Sequence, residues 1–169
     1  METMTVERII DAPIDEVFAW LTTTTNYTSS PLVLRCRLTR RGEAAPYGVG
    51  AVRIHLWLIG WFRERITHYD PPYATEYVVE RSLPPSRHEL GRMTFTEVDG
   101  GTHVRWITRA EIPVPLLGAL LTRLLARPVI TRTFRNILDA ANTALAQRPQ
   151  SEPSKPTAHA PTSGNEQPR

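Results

Sequence analysis

The sequence predicts an α+β domain in which a curved antiparallel sheet of seven strands closes on one long C-terminal helix. Three observations carry this expectation. From Pro115 to Gln147 apolar residues recur at helical spacing, first Leu117, Leu120, Leu121 and Leu124, then Ile130, Phe134, Ile137, Ala141 and Leu145. Between Val33 and Ala110, segments alternating with a period of two are separated by turns rich in Gly, Pro and Asp. Ahead of them, a strand from Thr5 to Asp11 runs into Ala12-Pro13 and a short amphipathic helix.

Composition sets the bounds. A chain of 169 residues fits one domain, and 41% hydrophobic with 22% charged residues is ordinary for a globular protein. A net charge of +3, spread along the chain, argues against nucleic acid as a partner. The single cysteine, Cys36, allows no internal disulfide and no cysteine cluster for metal. Met1 to Arg8 is polar and acidic rather than signal-like, and Ile112 to Leu121 is too short to span a bilayer, so the expected location is cytoplasmic.

In the first helix, Pro13 suits an opening turn, Asp15 and Glu16 complement the positive helix start, and Ile14, Val17, Phe18 and Leu21 form the apolar stripe. The β-branched run Thr22 to Thr25 ends it. Val33 to Thr39 then sets Leu34, Cys36 and Leu38 on one face. Ala51 to Ile59 sets Val52, Ile54, Leu56 and Leu58 against Arg53, His55 and Trp57. Gly60 turns the chain, and Trp61 to Tyr69 carries Phe62 and Ile66 in phase. Asp70-Pro71-Pro72, Pro84-Pro85 and Asp99-Gly100-Gly101 separate three further strands, which carry Tyr77 with Val79, Met93 with Phe95, and Val104 with Trp106 and Thr108. Short turns between consecutive strands imply an antiparallel meander. The domain is expected to span residues 1–147. Residues 148–169, rich in proline and without large apolar residues, are expected to be a disordered tail.

Ile9-Ile10-Asp11-Ala12-Pro13-Ile14, Ile66-Thr67-His68-Tyr69-Asp70-Pro71-Pro72, the hairpin Val98 to Trp106 and the segment Pro113-Val114-Pro115-Leu116-Leu117-Gly118 resemble the motifs of the START-like, or SRPBCC, superfamily. The nearest resemblance is to its polyketide cyclase/dehydrase-like branch. The resemblance implies the helix-grip fold and an apolar cavity between sheet and C-terminal helix. It also implies a hydrophobic small-molecule ligand, lipid-like or polyketide-like, held by a carrier or binding protein. A polyketide cyclase or dehydratase acting by acid/base assistance, and a protein-interaction cofactor, are the alternatives it leaves open. No cofactor is implied.

The residues expected to line the cavity are Leu34, Leu38, Ile54, Leu56, Phe62, Ile66, Val79, Met93, Phe95, Val104, Trp106, Leu124 and Phe134, any of which could equally be plain core. Glu64, His68 and Tyr77 share the inward phase. A carboxylate or imidazole in an apolar pocket has a shifted pKa, so these three are the candidates for acid/base chemistry. The competing expectation is that strand twist puts Glu64 and His68 in water, paired with Arg63 or Arg65. The histidines lack paired ligand spacing, so no metal site is expected.

Pro128 predicts an interruption of the closing helix around Leu125 to Pro128. It lacks the N–H that an interior turn needs, and the leucine stripe before it and the Ile130/Phe134/Ile137 stripe after it point in different directions. The Leu116–Leu125 segment, flanked by Arg123 and Arg127, is then expected to cover the pocket mouth, where it could touch a membrane or pair two subunits.

Overall fold

Each strand pairs antiparallel with its neighbour, and the sheet order β1-β7-β6-β5-β4-β3-β2 is the predicted meander with β1 added beside β7. The computed structural model describes residues 1–113, 120 and 122–147. Its elements are β1 (Glu2–Ile10), α1 (Ile14–Thr22), a 3-10 turn (Thr24–Ser29), β2 (Val33–Arg40), β3 (Val52–Trp57), β4 (Gly60–Asp70), β5 (Ala74–Leu83), β6 (Arg87–Val98), β7 (Gly101–Glu111), a π-turn (Thr122–Ala126) and α2 (Arg127–Ala146). The expected tail, and Leu116, Leu117 and Leu121 of the expected lid, lie outside the described residues.

Helix α1 forms as the sequence predicts, with Pro13 ahead of its first turn, Asp15 and Glu16 in that turn, and Ile14, Val17, Phe18, Trp20 and Leu21 buried. It stops where Thr22 turns its hydroxyl back onto the Phe18 carbonyl at 2.8 Å, a bond that competes with helix continuation. The Tyr27 hydroxyl donates to the Leu21 carbonyl at 2.7 Å and ties the 3-10 turn to α1.

Helix α2 buries Thr133, Phe134, Ile137, Leu138, Ala141 and Leu145 against the sheet. Its Phe134 ring lies flat on Trp106, centroids 3.9 Å apart and planes 9° from parallel, and meets Trp57 edge-on at 6.0 Å. Such stacking adds about 1 kcal/mol to the burial of the rings. Outside this core, Asn142 Oδ1 accepts the Asp11 N–H at 3.0 Å and Arg8 pairs with Asp139, tying α2 to β1.

At Pro128 the winding changes. The π-turn ends at Ala126, α2 starts at Arg127, and Pro128 occupies its first turn, where its missing N–H costs nothing. Ala126 stays in the right-handed helical region (φ −72°, ψ −45°), so the junction is a change of hydrogen-bond pattern within a helical path.

Candidate functional site: a buried polar network inside the grip

The inner face of the sheet is apolar on the β6–β7 side and polar on the β3–β4 side. Met93, Phe95, Val104 and Trp106 are buried as the sequence predicts, with Ile66 beside them, and Leu38, Phe62 and Val79 pack at the margin of the same core. Strand β3 departs from expectation. Arg53 and His55, each only 1% exposed, and Trp57 point inward, while Ile54 and Leu56 stand on the outer face. The reason is hairpin parity. Trp57 pairs with Gly60, so Arg53 lies opposite Glu64 and His55 opposite Phe62. Directly opposed residues share a face, and the face that buries Phe62 and Glu64 must bury Arg53 and His55.

Three more expected residues lie elsewhere. Leu34 sits where the β2–β3 register shifts between Val33 and Arg35, and it is bulged out into solvent. His68 is exposed because the β4–β5 register shifts between Ile66 and His68, so Thr67 absorbs the step that would have carried His68 inward. Leu124, in the π-turn, is 62% exposed. Of the three acid/base candidates, the fold brings Glu64 and Tyr77 inside and leaves His68 out.

Glu64 is the hub. Arg53 Nε donates to its Oε2 at 2.8 Å, and His55 Nε2 lies 3.2 Å from the same oxygen. On the other side of the imidazole, Nδ1 is 3.1 Å from Cys36 Sγ. The Arg53 guanidinium also sits over the Tyr77 ring, 4.8 Å from its centroid, a cation–π contact. Tyr77 accepts a hydrogen bond from Trp106 Nε1 at 3.0 Å. Gly91, paired with Tyr77 across β5 and β6, makes room for the ring: a Cβ there would stand 2.1 Å from it.

The β5–β6 pairing stops at Tyr77 and Gly91, and His88 bridges the gap beyond it. Its Nδ1 accepts the Val79 N–H at 3.2 Å, which assigns the ring proton to Nε2, the atom 2.9 Å from Thr108 Oγ1. The imidazole stacks on Tyr77 at 5.6 Å.

Burial and charge set the protonation states. Burial by itself would raise the Glu64 carboxyl, but His55 and Arg53 outweigh it and hold the group down at about 2. Burial would likewise lower Arg53, and Glu64 reverses this, so the guanidinium stays charged. Burial, reinforced by the Glu64 charge, pushes the Cys36 thiol up to about 12. Burial raises the phenols of Tyr27 and Tyr77 well above their usual value. Burial lowers His88, against the pull of Glu64. Among the described residues no three His, Cys, Asp or Glu side chains converge as a metal site. Among the buried polar atoms left without a hydrogen-bond partner are the Thr24 and Ser30 hydroxyls and Trp57 Nε1, which lies beside Phe62 and Phe134.

Sequence reasoning missed Arg53, His55, Trp57, His88 and Gly91. The signal for the first three was present: a Gly60 turn closing on Trp57 places residues 53, 55 and 57 on the face of Phe62 and Glu64. Nothing local marks His88 or Gly91.

Residues 1–148 match the family described as polyketide cyclase / dehydrase and lipid transport. The search of curated proteins gave no match. Among solved structures, a protein from Thermus thermophilus is similar at 16% identity and a TM-score of 0.70, over 86% of this chain and 97% of its own. A START superfamily protein from Mycobacterium smegmatis is similar at 13% identity and a TM-score of 0.64, over 86% and 97%. The di-domain aromatase/cyclase StfQ of the steffimycin biosynthetic pathway is similar at 19% identity and a TM-score of 0.56, over 86% of this chain and 44% of that one. At these identities the likeness is one of fold, the helix-grip arrangement expected from the sequence.

Proposed function

Because the chain belongs to the polyketide cyclase/dehydrase and lipid transport family, we propose that it binds a hydrophobic small molecule between the sheet and α2 and serves as a carrier rather than a catalyst. The observation that carries the choice is the state of the enclosed ionisable groups. A general acid or base works best with a pKa near the operating pH. Glu64, at about 2, has no proton to give at neutral pH and is a poor acceptor. Cys36, at about 12, supplies no thiolate, and Tyr27 and Tyr77 keep their phenolic protons. His68 stands in solvent, and the enclosed imidazoles are taken up within the network, His55 between Glu64 and Cys36 and His88 between the Val79 N–H and Thr108.

What remains for a ligand is apolar surface and a few unpartnered polar atoms, among them Trp57 Nε1 on the inner face of β3. A buried N–H without a partner costs about 1–3 kcal/mol, and a ligand oxygen at Trp57 Nε1 removes that cost. The favoured ligand therefore has an apolar body, lipid-like or polyketide-like, with an acceptor oxygen. Native mass spectrometry of the protein from its own host should find such a molecule bound. Trp57→Phe should weaken its binding about tenfold without unfolding the protein. Unchanged affinity in that variant would remove Trp57 from the site. Turnover of a polyketide substrate, lost in Tyr77→Phe with the fold intact, would replace the carrier reading by a cyclase or dehydratase.

A further inference from the structure

The polar lining of β3 has a counterpart on its outer face, where apolar side chains gather at one end of the sheet. The registers line up Arg35, Leu56, Trp61 and Leu83 in a single row across β2, β3, β4 and β5. Leu83 is 68% exposed, Leu56 and the bulged Leu34 are exposed too, and Leu58 projects from the β3–β4 turn at 61%. Two residues back along each strand, the next row of that face is Arg37, Ile54, Arg63 and Arg81.

Arg63 and Arg81 are directly opposed like charges, an unfavourable pairing unless an anion relieves it. Arg35, Arg37 and Arg81 have no ion-pair partner among the described residues, and Glu80, which pairs with Arg63, is shared with Arg65.

We propose that this end of the sheet docks on the surface of an anionic lipid bilayer. Two residues of strand span about 6.6 Å, so with Leu56, Leu83 and the β3–β4 turn in the acyl boundary the arginine row stands at headgroup depth, and Arg35, at the β2 margin of the leucine row, reaches back to that depth along its stem. Interfacial elements bury their apolar face about 5–10 Å, with basic residues on anionic phosphates, and this spacing satisfies both layers. The same end carries the π-turn: Thr122 Oγ1 accepts the Ile112 N–H at 2.8 Å, just beyond β7. That turn presents exposed Leu124 and Leu125 beside exposed Arg123, with Arg127 following. A second copy of the chain fits this face less well, because the same two rows on its partner would bring more arginines and no carboxylate to neutralise them. The surface stands whatever molecule the grip holds.

Flotation of the full chain with phosphatidylcholine vesicles, with and without phosphatidylserine, tests the proposal. The protein should float with the phosphatidylserine vesicles and be partly released by salt. Leu56→Ser/Leu58→Ser/Leu83→Ser should weaken that binding by at least about tenfold. Arg37→Ser/Arg81→Ser should weaken it and blunt its salt dependence. Thermal melts should confirm that both variants stay folded. Absence of flotation, equal flotation with both vesicle types, or full binding by the triple leucine variant would overturn the proposal. So would a concentration-dependent dimer without vesicle binding that Leu58→Ser dissolves, which would assign the face to a second copy.

Discussion

Glu64 and Arg53 show how a buried pair can be indispensable without being a large source of stability. Both side chains are enclosed, so each loses its water, and their mutual attraction roughly offsets that loss. Removing one partner strands the other. Glu64→Gln should therefore cost about 3–5 kcal/mol, read as a drop in urea midpoint, whereas Arg53→Met/Glu64→Leu should recover most of it. A Glu64→Gln protein within about 1 kcal/mol of the parent would mean that water reaches Arg53. Burial keeps the neighbouring Cys36 thiol protonated, and the Glu64 charge adds to that effect.

Single residues also decide what whole strands present. One step at Thr67 takes His68 out of the interior, one bulge does the same for Leu34, and the tight turn at Gly60 inverts β3 relative to its apolar pattern. That inversion buries Arg53 and His55 and leaves Leu56 and Leu58 in water, the reverse of what side-chain polarity predicts. Strand β6 contributes an absence, the missing side chain of Gly91. Gly91→Ala should force the Tyr77 ring off β6, cost about 1–3 kcal/mol and perturb Trp106 fluorescence through the lost hydrogen bond. An alanine accepted within about 0.5 kcal/mol would show that the ring has other room. At the junction before α2 the expected kink or break is instead a change from π- to α-winding within a helical path, because Pro128 falls in the first turn of α2, where its missing N–H breaks no bond.

For the molecule as a whole, the buried network makes acid the condition that loosens the grip. Two groups of that network have folded-state pKa values below their usual ones, so each contributes stability above its ordinary pKa that is lost as pH falls. For His88 the loss begins below 6.5, because the unfolded chain takes up a proton that the folded site resists. For Glu64 it runs from 4.5 down to about 2. Urea midpoints should therefore fall from pH 7.5 to 5.5 and again towards pH 3.5, with the first step reduced in His88→Gln. A first step of equal size in that variant would assign it to another histidine.

The sequence by itself determined the α+β helix-grip class, the order of the elements and the core residues of β6 and β7. These follow from local chemistry: residue periodicity and turn residues. The tertiary structure decided which face of β3 is inside, where the bulges fall, and that Glu64 has Arg53 and His55 as partners. Pairing register acts between strands, and a one-residue change in it turns an exposed side chain into a buried one. Only the paired sheet therefore reveals that the concave face holds a buried ion pair, while leucines predicted to line it stand outside.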